Sequence, residues 1–543
     1  MVQTNRSLPI GTDSFKEVRE NNQYYIDKTL MIEEFIKSGK KVSLITRPRR
    51  FGKTLNMTML REFFDITKDS SAIFDGLNIM NTECAEEINS RPTIYFTFKG
   101  VSGVDVEDLK LSLAHVIKEE YYKYYDIFLD EIKLTSVYDE FLTIRNAFKA
   151  LDKAHKTEDR IINTNLLKRS LATLLKALTA HYNKPVLLLI DEYDQPLLEA
   201  HSRGFRKEFS EDIYGQMLGD ALKGNEHLGQ SLLTGIQRIA KESIFSKLNN
   251  IAVYTVADEA YSHYFGLTEQ ETELALNDNG MLLTSEVKAY YDGYNFGGID
   301  IYNPWSILNY IERKRLEPFW INTSTNLLIR ELILGADFDF KEDFEILIAE
   351  SEVEVTANLS ASFMELDSTS TLWGLLINAG YITISEVVDL ESYIIRIPNH
   401  EVKKEFNTVV ELYTQTRPDS LSPLFGALFG KNMERFLKLY RKLILSHVSY
   451  YDTIDENSFH MLFLGMSMAT QGMYKIKSNR EMGDGRTDIF MESLHPSERP
   501  HIIVEFKTGE DLKNEADDAL NQIFAKRYYA EFAGEVLCIG IAH

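Results

Sequence analysis

The chain has 543 residues, with 59 Lys and Arg against 82 Asp and Glu, for a formal charge of −23. That length asks for two large domains or about three ordinary ones, and a chain with 44% hydrophobic and 26% charged residues is globular, which excludes a disordered protein. Such an acidic balance also excludes a protein that coats nucleic acid by bulk charge, although it leaves room for a local basic site.

Two cysteines, Cys84 and Cys538, are too few for a zinc cluster or a disulfide framework and point to a reducing compartment. Residues Met1 to Ser14 lack the apolar stretch of a secretory signal. The longest charge-free runs, Ser368–Ser385 and Asn457–Tyr474, carry polar residues throughout and do not read as membrane spans. A cytoplasmic protein with no membrane partner is expected.

In chain order, Val42–Thr46 reads as a short apolar strand that turns into a helix at Lys53–Asp65. Pro92–Phe98 is a second strand, and Asn165–Tyr182 has leucines at helical spacing. Val186–Ile190 and Ser231–Gly235 are further buried strands. Continuous apolar strands separated by helices imply a parallel sheet covered on both faces. Residues 256–425 read as mostly helical, with a short β element at Tyr381–Ser385. Beyond them come a helix at Phe459–Ala469, strands at Met473–Ile476, Thr487–Met491 and His501–Phe506, a helix at Glu515–Tyr529 and a closing strand at Val536–Ile541. The expected domains are therefore 1–255, 256–425 and 426–543. The clustered Tyr121, Tyr122, Tyr124 and Tyr125 read as helical core packing more readily than as a base-stacking platform.

Chemistry enters after the first strand. Arg47-Pro48-Arg49-Arg50-Phe51-Gly52-Lys53-Thr54 follows the phosphate-loop pattern, except that Arg47 stands where the first glycine belongs. Gly52 lets backbone N–H groups approach phosphate, Lys53 reaches the β- and γ-phosphates, and the Thr54 hydroxyl can ligate Mg²⁺. Read without context, the same residues make a basic turn capping a surface helix. The strand Val186–Ile190 then delivers Asp191-Glu192, with Asp191 placed to hold Mg²⁺ and Glu192 to orient or deprotonate the attacking water. Thr234, ending another strand, can sense the γ-phosphate. Arg238 can act as an arginine finger in cis or in trans, or simply pair with an acid. No guanine-reading Asn-Lys-x-Asp occurs, which favours ATP. Gly39–Arg61 holds seven basic residues and no acid, a positive island suited to a triphosphate and less suited to a nucleic-acid groove.

Leu8–Gly11, Phe15, Tyr25–Thr29, Arg47–Thr54, Ile190–Asp194 and Phe245–Asn250 together resemble the AAA-ATPase-like proteins, a bacterial and archaeal family of mostly unknown role. Tyr291–Phe296 and Tyr302–Trp305 fit the same resemblance, which spans about residues 5–320. An arginine for the first glycine is usual in that family. The resemblance implies a P-loop ATPase, with Arg47, Arg49, Arg50, Phe51, Gly52, Lys53, Thr54, Asp191 and Thr234 at the nucleotide.

Near the other end, Asp488 follows Gly485-Arg486, and Glu505-Phe506-Lys507 ends a strand seventeen residues later. Residues i and i+2 of a strand share a face, so Glu505 and Lys507 point the same way. Asp488 and Glu505 would bind Mg²⁺, while Lys507 positions water beside a scissile phosphate. Polar strand ends also carry Glu and Lys without any site. The segment resembles the PD-(D/E)XK nuclease superfamily, with Thr487 replacing the usual proline. The upstream helical glutamate of that superfamily has no clear counterpart, Glu456 and Glu481 being the nearest acids. Gln522 either contacts a phosphate backbone or supports the ligands.

The expected architecture is α/β: a P-loop NTPase module with a parallel sheet, a helical middle region and a C-terminal PD-(D/E)XK-like domain. The expected function is ATP binding and hydrolysis coupled to Mg²⁺-dependent cleavage of DNA or RNA, in a setting of genome defence or mobile elements suggested by analogy alone. The alternatives are an ATP-driven sensor whose terminal domain binds without cutting, and a signalling ATPase that reshapes a protein partner. Arg238 acting in trans would require a homo-oligomer.

Overall fold

The computed structural model describes residues 6–125, 136–153, 161–238, 251–320, 336, 339–340, 343–344, 346–347, 352–360, 368–404, 406, 418–447, 456–467, 470, 473–483, 485–509, 511–532 and 534–543. The chain forms two units, one of residues 1–320 with 357–384 and one of 321–356 with 385–543.

In the first unit β1 (Val42–Thr46), β2 (Thr93–Thr97), β3 (Val186–Asp191), β4 (Leu228–Gly235) and β5 (Ile251–Tyr254) form one sheet of order β2-β3-β4-β1-β5, in which every pair is parallel. Strands β1 and β3 are buried at every position, as their unbroken apolar sequence requires for a sheet covered on both faces. Leu44, Ile94, Leu188 and Leu233 of the sheet pack with Leu113, Ile117 and Tyr121 of helix Val106–Tyr125 and with Leu171, Leu174 and Leu178 of helix Thr164–Tyr182. Tyr121, Tyr124 and Tyr125 of the tyrosine cluster belong to this core, Tyr121 and Tyr124 donating hydrogen bonds to the carbonyls of Ser170 and Thr93 at 2.6 Å each, while Tyr122 donates to Asp152 at 2.7 Å. β4 lies between the strand leading to the phosphate loop and the strand carrying the acidic pair. All three therefore end together at the C-terminal edge of the sheet, where α/β proteins bind ligands.

A second, small sheet joins β6 (Leu267–Thr268), β7 (Tyr294–Phe296) and β8 (Ile299–Tyr302), with β8 central and both pairings antiparallel. The middle of the chain thus combines helices at Glu269–Asp278, Ser285–Tyr291, Pro304–Arg313 and Thr369–Ala379 with short strands that its sequence does not announce.

In the second unit β9 (Glu352–Thr356) pairs antiparallel with β11 (Ser392–Arg396), and β10 (Thr383–Val387) precedes β11 in the chain. The larger sheet has the order β12 (Tyr474–Met482), β13 (Gly485–Ser493), β14 (His501–Lys507) and β15 (Val536–Ala542). Its first two pairings are antiparallel and the last is parallel. Helix Leu512–Ala525 makes the crossover that a parallel pair needs. It comes so close to β15 that a Cβ at Gly540 would lie 2.4 Å from the carbonyl oxygen of Ala516. The helix starts and stops earlier than its sequence suggests. Asp511 caps it by accepting from the Asn514 N–H, and left-handed Arg527 (φ 55°) separates it from a short turn of helix at Tyr528–Glu531.

Candidate active sites

The phosphate loop leaves β1 through Arg47 and enters helix Lys53–Phe64 through Gly52, whose φ of 83° is left-handed and favours glycine. Lys53 is buried, its ammonium donating to the carbonyls of Arg47 at 2.9 Å and Pro48 at 2.7 Å. Burial lowers its pKa, and the neighbouring Glu192, Asp191 and Asp194 pull it back up. The loop is thus folded around its own lysine, with the N–H groups of the helix start left for an anion.

Across the sheet edge, Asp191 is fully buried at the end of β3 and accepts from two hydroxyls, one on the loop helix and one on β4. Thr54 Oγ1 donates to one carboxylate oxygen at 2.7 Å and Thr234 Oγ1 to the other at 2.6 Å. Glu192 follows with φ 52°, a conformation that costs a non-glycine residue about 1–3 kcal/mol and concentrates at functional sites. Burial raises its pKa, against the opposing pull of Lys53. Asp194 fixes the neighbouring turn by accepting from the N–H groups of Ile236 at 2.8 Å and Gln237 at 3.1 Å. Burial still raises its pKa.

Not every expected nucleotide residue turns toward the phosphate position. The Arg47 side chain is fully buried and donates away from the loop, to the carbonyls of Thr46 (2.8 Å), Tyr254 (3.1 Å), Thr255 (2.7 Å) and Ala260 (3.4 Å). Its guanidinium also lies 5.6 Å from the Phe265 ring and 5.4 Å from the Phe296 ring, and burial lowers its pKa to about 10. Phe51 is likewise buried, packing edge-on against Tyr294 at 4.9 Å and tilted against Phe296 at 5.2 Å. These two residues, expected at the nucleotide, plug the loop into the small β6–β8 sheet instead. The Tyr291–Phe296 motif supplies their socket.

The basic run is divided for a related reason. Lys40 and Lys41 lie at the N-terminal end of β1, with Lys41 donating to the Asn225 carbonyl at 2.8 Å. The five residues of β1 separate them from the loop by about 16 Å, at about 3.3 Å per residue. Arg61 stacks against Tyr95 at 5.4 Å, farther along the helix. Arg49 and Arg50 remain near the loop surface. Arg50 has φ 69° and stacks 4.0 Å from the Trp305 ring, while the Arg49 carbonyl accepts from the Trp320 indole N–H at 3.1 Å. Arg238 donates to Ser360 Oγ at 2.8 Å. The motif Phe245–Asn250 lies outside the described residues.

Lys28 explains the Tyr25–Thr29 motif. It is buried and reaches both Glu271 carboxylate oxygens at 2.6 and 2.7 Å and the His263 carbonyl at 2.6 Å. Burial lowers its pKa and Glu271 raises it. The motif is therefore a tie between distant segments.

In the second unit Asp488 and Glu505 come together on adjacent antiparallel strands. Asp488 accepts from the Phe506 N–H at 2.7 Å, and Glu505 accepts from the Asp488 N–H at 3.3 Å. Glu505 is buried and also accepts from the Gln522 side-chain amide. Tyr528 Oη donates to the Arg486 carbonyl at 2.7 Å, holding the start of β13 against the crossover segment. Burial first, and then the charge of Asp488, raises the Glu505 pKa to about 8, with Lys507 opposing the rise. Two crowded carboxyl groups beside one lysine form a donor set that a divalent cation would neutralise, so the residues fit a Mg²⁺ ion. Among the described residues no group of three or more His, Cys, Asp or Glu side chains converges. A cation here would complete its shell with water, phosphate or backbone oxygens, as Mg²⁺ often does.

The expected third acid is not among these contacts: Glu481 pairs with Arg486 through the backbone of β12, and the side chains of Glu456 and Glu481 lie outside the described residues. On the preceding helix, Glu456–Ser467, the residue beside Asp488 is buried His460. Its ring bonds to the Asp488 backbone, and burial lowers its pKa to about 4. No sequence spacing marks it.

Residues 9–245 match the model of a family described as a predicted AAA-ATPase, and residues 454–542 match that of the PD-(D/E)XK nuclease superfamily. The chain is also similar to a protein of Azotobacter chroococcum mcd 1 described as an uncharacterized protein in the vnfD 5′ region. The two are 28% identical over 432 residues, which cover 78% of this chain and 73% of the relative. No helix among the described residues is long and apolar enough to cross a membrane.

Proposed function

We propose that this chain, which carries an AAA-ATPase-like domain at residues 9–245 and a PD-(D/E)XK nuclease-superfamily domain at 454–542, hydrolyses ATP at the first and cleaves nucleic acid at the second. The observation that carries the ATPase half is the double clasp of Asp191 by Thr54 and Thr234, which joins the phosphate loop, the acidic strand and the strand between them. Thr54 and Asp191 would hold Mg²⁺, which when bound offsets phosphate charge. Lys53 would exchange its loop carbonyls for phosphate oxygens. Glu192, its pKa raised by burial, would take the proton of the attacking water. Arg50, exposed, and Arg49, half-buried, are the cations at the loop surface and would meet the outer phosphates, while Arg47 and Phe51 keep the loop seated. Arg238 would have to leave Ser360 to neutralise transition-state charge.

In the second domain Asp488 and Glu505 would hold a divalent cation, which when bound supplies Lewis-acid stabilisation of a charged phosphate. Lys507 would orient the attacking water, and Gln522 holds the Glu505 carboxyl group in place. DNA or RNA is the substrate class, and genome defence or mobile-element biology is the setting. The reading in which this domain binds without cutting has one observation in its favour, the absence of a third converging acid among the described residues.

ATP turnover with and without Lys53→Ala tests the first half. Turnover should fall by at least about 100-fold, and unchanged hydrolysis would remove the phosphate-loop assignment.

A further inference from the structure

Helix Met433–His447 has two unlike faces. Phe436 and Tyr440 are buried in the core of the second unit, where they pack with Phe463 and with each other. The opposite face carries Arg435, Lys438, Arg441 and Lys442, all exposed. At 100° per residue these four fall within about 120° of arc, with Glu434 the single acid on that face. Their side chains have no ion-pair partner among the described residues, whereas the preceding Lys431 is paired with Glu535 at 2.5 Å. In a chain of net charge −23, four unpaired cations on one helix face stand out from the bulk surface.

The position of the helix gives that charge a use. Tyr440 Oη and His543 Nε2 are 2.8 Å apart, and the His543 N–H donates to the Lys507 carbonyl at 3.0 Å. The buried face is therefore anchored beside the strand end that carries Glu505 and Lys507. We infer that the basic face of Met433–His447 is a rail for the phosphate backbone of a nucleic acid. This inference names the contact surface of the nuclease reading and rests on it. Residues 435 to 442 span seven steps of 1.5 Å, about 10 Å along the axis, enough to meet two successive phosphates. A basic amphipathic helix can also bind an anionic membrane, but that mode needs a free apolar face. Here the apolar face is buried in the core, which favours nucleic acid.

The test uses the full chain without divalent metal, so that binding is read apart from cleavage. Fluorescence anisotropy with labelled duplex and single-stranded DNA is recorded across a salt series. Replacing the four residues by glutamine (R435Q/K438Q/R441Q/K442Q) should lower the slope of log affinity against log salt by about 2, at about 0.9 for each of the two phosphates on duplex. It should also weaken binding by at least about 10-fold. The pair Arg435→Lys with Arg441→Lys keeps the charge and should keep the slope. An unchanged slope in the quadruple variant overturns the rail, as does wild-type binding to phosphatidylserine vesicles with none to DNA. Loss of the slope in a protein that cuts nothing would support the rail and sink the cleavage reading, so the two failures are separable.

Discussion

Asp191 and Glu505 both stand near the C-terminal end of a buried strand, and their surroundings treat them in opposite ways. Asp191 is met by two hydroxyl donors, one from the loop helix and one from the next strand, so its charge is satisfied without any ion. Glu505 faces Asp488, and burial together with that neighbour pushes its pKa to about 8. On the proposed function, the first carboxylate sits in a site assembled in advance of its ligand. The second sits in one where a cation is needed before both carboxyl groups can ionise. Two hydroxyl donors meet Asp191, whereas a second carboxyl group meets Glu505, and two like charges at short range cannot both be kept without a counter-ion.

Three perturbations break or sharpen that contrast. Glu192→Gln should have the largest effect. It should lower ATP turnover by about 100- to 10,000-fold, the usual contribution of a general base, while nucleotide binding followed by a fluorescent analogue persists. Comparable loss of binding would show that Glu192 holds the site together and does no proton chemistry.

Arg47→Ala comes next, because it leaves carbonyls of Thr46, Tyr254 and Thr255 without their donor in a buried place. Destabilisation of about 3–5 kcal/mol is expected from removing one partner of such a buried charged network, read by urea unfolding of the apo protein. Full stability with weakened ATP affinity would return Arg47 to the nucleotide.

The smallest effect is the pH response of Glu505. Its pKa is raised from 4.5 to about 8, so between those values it is protonated in the fold and ionised in the unfolded chain. The stability this contributes is complete below about 4.5 and is lost as pH rises through about 8. The melting temperature of the metal-free second unit should therefore fall over that window, and Glu505→Gln should flatten the fall. Added Mg²⁺ should stabilise more at the alkaline end. A Mg²⁺ effect that is the same at both ends would argue against the crowded pair as the binding site.

The parts of the fold legible in the sequence are those governed by local pattern. Unbroken apolar runs mark β1 and β3, and glycine before lysine marks the loop. The spacing of Asp488 and Glu505 already places them on neighbouring strands. Long-range ties were not legible. Arg47 reads as a phosphate ligand until its partners more than 200 residues away are seen, and the motif Tyr25–Thr29 does not show that Lys28 meets Glu271. The positive run at 39–61 looks continuous along the chain, yet β1 carries Lys40 and Lys41 to the edge of the sheet opposite the loop, and Arg61 lies over Tyr95 of β2. His460 had no signal because one buried histidine has no spacing to read. In each case burial and sheet topology decide which direction a charged side chain faces, and neither is written in local spacing.

Cleavage is the measurement that bears most directly on the proposal of a nuclease joined to an ATPase. Wild-type protein with Mg²⁺ or Mn²⁺ should nick or degrade DNA or RNA, in an amount that changes with ATP. Asp488→Ala combined with Lys507→Ala should abolish the cut and leave ATP turnover intact. Absence of any cut by the wild type with either ion, with or without ATP, would contradict the assignment and leave a nuclease-like domain that binds only.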